Sequence, residues 1–441
     1  MPRAARSVFE GRRSMTVTPL IVLLSALSVF GAGSPRGVLL APAALEDRFL
    51  LQVSYEQRSR EHFMTSRSRI VRFRRLDDTS LVMLEVRERG LAERPIATVP
   101  IAGEHAGALM LDLNAAFDRV FLEEDRTGED YYGRNERQDY SYFRLYDREL
   151  VDLGMRGATL VMKQRAVDRR REPVVVHYYL RPYRPDPGFE PLETSLEHFG
   201  FFQTYPRERD GRSVLYATKF DIRKPVVFAL SSAIPEAYRP AVRDGVLYWN
   251  RAFGRPAVRV IDAPDGVSAP SAELNVIQWV AHSAHASTSH IQTDPITGEI
   301  LHAHVFISPS PLDDGAENAD DYLRYLVAHE VGHALGLRHN FARGPVSTVM
   351  NYFGAEEAAR IGREVIAAGR DALEYDSKVI REVYLDHHVD VETLPAFCTD
   401  AQPGCTPVDA GGRAVGAAEA RTRRPERVPA DGFPGSAGAV P

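Results

Sequence analysis

Short stretches in which apolar and polar positions alternate recur between residues 45 and 212; 49–54, 70–73, 80–86 and 174–180 are examples. Successive side chains of a strand point to opposite faces, so a period of two predicts half-buried strands. Turns rich in Gly, Asp and Pro separate them, which predicts a mainly antiparallel β domain over residues 44–212. From about 213 the period changes. Residues 224–230 predict a strand. Residues 235–253 predict a helix, because Ala241, Val242, Val246 and Trp249 share one face at helical spacing. Strands follow at 257–261 and 275–280, and 289–293 with 300–308 predict a hairpin about the turn at 294–298. Helical patterns cover 319–337 and 355–384. Residues 213–395 therefore read as a second domain, and the whole chain as α+β. Residues 396–441, rich in Ala, Gly, Pro and Arg and without a period, predict a disordered tail.

The N-terminus carries a different pattern. Arg3, Arg6, Arg12 and Arg13 precede an apolar run at 20–30. That run suits the centre of an export signal and falls short of the roughly 20 residues a membrane span needs. Residues 1–43 are assigned to a signal peptide, with Met15 as an alternative start and cleavage after Gly33 or Ala43. An uncleaved signal anchor is the competing reading, and no other stable membrane partner is expected. The protein is expected to be exported, periplasmic or secreted.

Composition narrows the function classes. The chain has 441 residues, 44% hydrophobic and 26% charged, enough for two ordinary cores. Its net charge of −6 offers no basic surface to neutralise phosphates, which argues against a nucleic-acid partner. The two cysteines, Cys398 and Cys405, would close a small disulfide loop in an exported protein; with no nearby histidine their spacing is poor for metal.

The strongest chemical signal is H-E-V-G-H-A-L-G-L-R-H at residues 329–339. His329 and His333 are four apart, so on a helix they share a face and can hold one Zn²⁺ through neutral imidazoles. Glu330 stands beside the metal, placed as general base for the water that the metal activates. Gly336 permits a positive φ, so the helix can end and the chain can bring His339 back as third ligand. Three protein ligands and one open position describe a catalytic site.

This motif and Ser347-Thr348-Val349-Met350-Asn351-Tyr352 together resemble the metzincin clan of zinc metallopeptidases. The segments 234–253, 275–280, 294–305 and 336–341 also resemble a family of bacterial secreted zinc-dependent metalloproteases, over about residues 50–385. Two departures stand out. Such proteins usually continue for several hundred residues past the methionine turn, and often carry Ser and Asp where Thr348 and Asn351 stand here. The resemblance implies a metzincin-like catalytic domain: a twisted mixed sheet with an active-site helix and a Met-turn, following the antiparallel β domain. It implies that Met350 floors the zinc and that Tyr352 contacts the metal or the transition-state oxyanion. One arm of the 289–308 hairpin would form the cleft rim, where an extended peptide adds as a strand.

His282, His285, His290, His302 and His304 also cluster. Alternation puts His302 and His304 on one strand face, where both can reach a second metal; the plainer reading is polar loop and strand-surface histidines. The expected function is a zinc metalloendopeptidase acting on protein or peptide substrates, with Glu330 as base. The alternatives are a zinc amidase acting on a non-protein amide and a non-catalytic zinc-binding scaffold.

Overall fold

The computed structural model describes residues 24–27, 37–57, 62–86, 93–122, 141–194, 200–204, 207–271, 273–281, 287–308, 318–342, 347–388 and 397–398. Most of the export segment, His282, His285, Cys405 and the tail beyond 398 lie outside these residues.

The first half is built on a ten-stranded sheet. Its strands are β1 (Leu24–Leu27), β2 (Gly37–Leu40), β3 (Phe49–Gln57), β4 (His62–Arg75), β5 (Ser80–Glu85), β6 (Arg94–His105), β7 (Ala108–Leu111), β10 (Tyr146–Arg156), β11 (Thr159–Val167) and β12 (Pro173–Pro182). A short helix α1 (Leu113–Ala116) and a hairpin of β8 (Arg119–Leu122) and β9 (Ser141–Arg144) interrupt the series. The sheet order is β1-β2-β7-β6-β5-β4-β3-β12-β11-β10, antiparallel throughout. Its two end strands come close together, so the sheet curls on itself. The alternation seen in the sequence is what fills the curl: Phe49, Leu51, Val53, Val71, Phe73, Leu81, Met83, Val176, Tyr178 and Leu180 form one core. Gly37–Leu40, within the stretch assigned to targeting sequence, is a buried strand paired with β7.

Small strands β13 (Glu193–Thr194), β14 (Arg207–Arg209) and β15 (Arg212–Tyr216) lead into the second half. There a five-stranded sheet has the order β17 (Val258–Asp262), β16 (Val226–Leu230), β18 (Asn275–Trp279), β20 (Ile300–Ile307), β19 (Thr288–Thr293). All neighbours run parallel except β19, an antiparallel edge strand. β16 and β20 are near-continuous apolar runs, as strands covered on both faces require. The expected hairpin about 294–298 forms as β19 and β20.

Helix α2 (Arg239–Phe253) buries Ala241, Val242, Val246 and Trp249, the face expected for it, and ends at Gly254 in the left-handed region. It packs on α3 (Ala319–Ala334), with Gly245 so close that a Cβ there would stand 2.8 Å from the Val327 side chain. The core between sheet and helices also takes in Leu192 and Phe201, upstream of residue 213.

Two helical expectations are corrected. The zinc helix stops at Ala334 rather than 337, because Gly336 turns the chain at φ 98°. The stretch 355–384 is not continuous. α4 (Ala355–Ile361) runs on into a π-type turn Gly362–Ala367, the chain then turns at Gly369 (φ 66°), and α5 (Glu374–Ile380) continues into a second such turn, Arg381–Asp386. Polar partners hold the break open. The Arg251 guanidinium donates to the carbonyls of Val365 and Ile366, and the Tyr248 hydroxyl accepts the Leu373 N–H at 2.9 Å. Beyond α5, Phe397 stacks on Tyr375, and Phe341 N–H donates to the Cys398 carbonyl at 2.9 Å. These two residues of the expected tail are thus docked beside the zinc segment, and Cys398 is disulfide-bonded.

Candidate metal centre

Helix α3 begins with Asp320 and Asp321, whose charge suits a helix N-terminus. Arg324 bonds Asp321 and, at 2.9 Å, Asp244 of α2, which sets the rotation of one helix on the other. Val327, Val331 and Leu335 are buried in the core, as their spacing predicts. His329, Glu330 and His333 are nearly as buried on the opposite face, at 3%, 5% and 9% exposure, so the helix has no solvated side near the site.

At its C-terminus the helix closes with Leu337 N–H on the Gly332 carbonyl and Gly336 N–H on the His333 carbonyl. A Cβ at Gly336 would lie 2.2 Å from the Thr218 carbonyl oxygen, so both the positive φ and the close approach call for glycine. The segment 200–204 braces this turn: Phe202 N–H donates to the Gly336 carbonyl and Arg338 N–H to the Gly200 carbonyl.

The turn brings His339 to His329 and His333. Their Nε2 atoms stand 3.2 Å (His329–His339), 3.2 Å (His329–His333) and 2.9 Å (His333–His339) apart. Among the described residues these three form the one group of three or more potential ligands so converged. The other ring nitrogens explain the arrangement. His329 Nδ1 donates to the Val349 carbonyl and His333 Nδ1 to the Leu337 carbonyl, each at 2.8 Å. With their protons on Nδ1, both rings aim Nε2 lone pairs at a common point. Lone pairs that close repel unless a cation sits among them, and nitrogens around one tetrahedral zinc stand roughly 3.3 Å apart. The donor set fits zinc. Burial and the neighbouring Arg338 charge push the His339 imidazole down to about 3, which keeps it neutral, the form a metal binds.

Met350 lies directly below. Its Sδ would be 2.2 Å from a Cβ at Gly332, between the two helical histidines, and the Trp249 ring would be 2.7 Å from it. Trp249 Nε1 donates to the Ala328 carbonyl at 2.9 Å. Tyr352 packs on the site from the side, its ring centroid 4.4 Å from that of His339 and 5.6 Å from that of His329. Phe341 stacks on His339.

Glu330 points to the edge strand. The Ser289 hydroxyl lies 2.6 Å from the Glu330 carbonyl and 3.0 Å from its carboxylate Oε2. Burial raises the Glu330 carboxyl to about 8 against this hydrogen bond; a divalent cation beside it acts in the opposite sense.

Residues 313–349 match the family model described as Met-zincin. The chain carries a metzincin-type zinc metallopeptidase site. The match spans all of α3 and all three histidines and ends one residue before Met350. No curated protein matches the chain.

Several residues around the metzincin-type site were not singled out in the sequence. Ser289 lies far upstream of the motif and Asp376 well downstream, and neither residue type marks itself. Gly332, inside the motif, did carry a signal, since glycine in a helix interior is unfavourable without a packing reason. His302 and His304 are not the strand-surface histidines of the plainer expectation. His304 is wholly buried and its Nε2 accepts the Ser271 N–H at 2.9 Å. His302 is partly buried beside it and His177 of β12 faces it; burial pushes His177 and His302 down to about 3 and His304 to about 4. They are neutral imidazoles where the two sheets meet.

Proposed function

We propose that the protein is a zinc-dependent endopeptidase that hydrolyses internal peptide bonds with Glu330 as general base. One observation carries this reading: three imidazole Nε2 atoms converge while the carboxylate of the next residue stands free of them, held by Ser289. His329, His333 and His339 would hold the metal. Bound zinc supplies Lewis acidity, polarising the scissile carbonyl and making water a nucleophile near neutral pH. Glu330 takes the proton of the attacking water and returns it to the leaving amine. The Tyr352 hydroxyl, carried on a ring packed against His339, donates to the developing oxyanion. Met350 floors the ligands rather than binding anything itself. The catalytic domain is metzincin-like, one zinc is bound, and a second metal is not part of this reading.

β19 is the arm of the hairpin that forms the cleft rim: it is the sheet edge and it carries Ser289. A substrate backbone laid along it would gain strand hydrogen bonds while its carbonyl approaches the metal. The substrate is therefore an extended protein segment. The protein acts after export, and of the two cleavage positions Gly33 fits better, because it would remove only the end strand β1, whereas processing after Ala43 would also remove the buried strand Gly37–Leu40.

Casein cleavage by the purified protein with zinc, beside Glu330→Ala, tests the proposal. Loss of the general base is expected to lower the rate by about 10²–10⁴-fold while zinc stays bound, and a chelator is expected to abolish activity. A wild-type protein that holds one zinc and cleaves nothing would overturn the catalytic reading in favour of a scaffold.

A further inference from the structure

Asp376 on α5 is a carboxylate with no solvent exposure. It accepts three hydrogen bonds: Thr348 Oγ1 at 2.5 Å, Tyr248 hydroxyl at 2.7 Å and Val349 N–H at 3.0 Å. Burying a charge is costly, and replacing it by apolar side chains often costs nothing. What the charge offers is three strong, directional hydrogen bonds onto one short segment and the helix behind it.

That segment is the methionine turn. Thr348 Oγ1, while donating to Asp376, accepts the Met350 N–H at 2.8 Å. Val349 gives its N–H to Asp376 and its carbonyl to His329 Nδ1, so a single residue separates the buried carboxylate from a ligand imidazole. On the far side, Tyr248 of α2 donates to Asp376 and accepts from Leu373, tying the loop before α5 to the same point. A twist of the turn would move the Val349 carbonyl off His329 and the Met350 sulfur off Gly332 together.

We propose that Asp376 is a positioning residue for the metal: it fixes the turn at 348–350 so that the Val349 carbonyl holds His329 in the Nδ1-protonated tautomer, with Nε2 aimed at the ion. This rests on the reading that His329, His333 and His339 bind zinc. Partners that orient a ligand histidine are worth about 10–100-fold in metal affinity when removed. Asp376 does so one step further out, through a peptide rather than directly on the ring.

The test measures zinc affinity of the full chain by competition with a chromophoric chelator, and the visible spectrum of the Co²⁺-substituted protein. Asp376→Ala is expected to weaken zinc binding by at least tenfold and to shift the cobalt bands. Val379→Ala, a buried change on the same helix at a side chain that makes no hydrogen bond to the turn, is expected to lower thermal stability yet leave affinity within about twofold and the bands in place. Asp376→Asn, which keeps the volume but must present an amide donor to this cluster of donors, is measured in parallel and is expected to weaken binding at least threefold. Unchanged affinity and spectrum in whichever Asp376 variant folds would overturn the proposal alone. A wild-type chain that takes up no zinc would overturn the parent reading with it.

Discussion

Gly332 sits where the zinc helix, the methionine turn and α2 come together. Alanine is the better helix former by about 1 kcal/mol, so on propensity alone Gly332→Ala would stabilise the protein. Contact decides the other way: the added carbon would lie 2.2 Å from Met350 Sδ and 2.7 Å from the Trp249 ring, and neither has room to retreat inside the core. Overpacking of this kind costs about 1–3 kcal/mol. Gly332→Ala is therefore expected to lose stability in thermal unfolding and to bind zinc more weakly, because the floor is pushed from under His329 and His333. A variant as stable as the wild type would show that the three elements are not held this tightly. At this scale the ligands were legible because their spacing is set by one helix turn and one glycine. Ser289 and Asp376 were not, since they reach the site through tertiary folding, from 41 residues before Glu330 and 27 after Val349.

The turn after α3 is the element on which the third ligand depends. Period and residue type together identified most elements of the second half: α2 with its buried face, the hairpin of β19 and β20, and the zinc helix. Their ends were less legible, because an apolar pattern continues where a chain leaves the helix but stays buried, as Leu335 and Leu337 do. The break between α4 and α5 was hidden for a related reason. It is held by Arg251 and Tyr248, residues of another helix more than a hundred positions away. Gly336→Ala tests the turn itself. Holding an L-residue at φ 98° costs on the order of 1–3 kcal/mol, and the Thr218 carbonyl 2.2 Å from the new Cβ adds to it. The expected outcome is a folded but less stable protein in which His339 no longer reaches the other two imidazoles, with zinc affinity falling at least tenfold in chelator competition. Unaltered affinity would mean that the positive φ is a convenience of the backbone rather than a requirement of the site.

The curled sheet and the five-stranded sheet touch through a polar seam rather than an apolar one. Gln292 Nε2 donates to Ser54 Oγ, the Tyr179 hydroxyl to the Pro270 carbonyl, and the Tyr183 hydroxyl to Asp294, while β4 runs beside the edge strand β19. Nothing in the local sequence marks which face of a ten-stranded sheet will meet a second domain, so this seam was illegible before folding. Its histidines make it sensitive to acid. His177, His302 and His304 are held down to about 3, 3 and 4 by burial, with Lys163 facing His177 and Arg181 facing His302. The unfolded chain therefore binds more protons than the folded one between roughly pH 6.5 and 4, and these groups withdraw stability as pH falls through that window. Glu299, raised to about 7 by burial and by Asp186, Asp294 and Asp221, and Asp376, raised to about 6, act in the opposite sense, since the folded state binds their protons first. Glu330, raised to about 8, and His339, held down to about 3, add one group to each side; the four imidazoles together are shifted further than the three carboxyls, which leaves a net loss on acidification. Hydrogen exchange at pH 5 against pH 7, corrected for intrinsic rates, is expected to show β12, β19 and β20 losing protection before α3 does. Replacing His177 and His302 by Gln removes two of the three seam histidines and is expected to shrink the acid-side loss. If the doubly substituted protein opens along the seam as readily at pH 5 as the wild type, the histidines are bystanders and the fold as a whole controls the response.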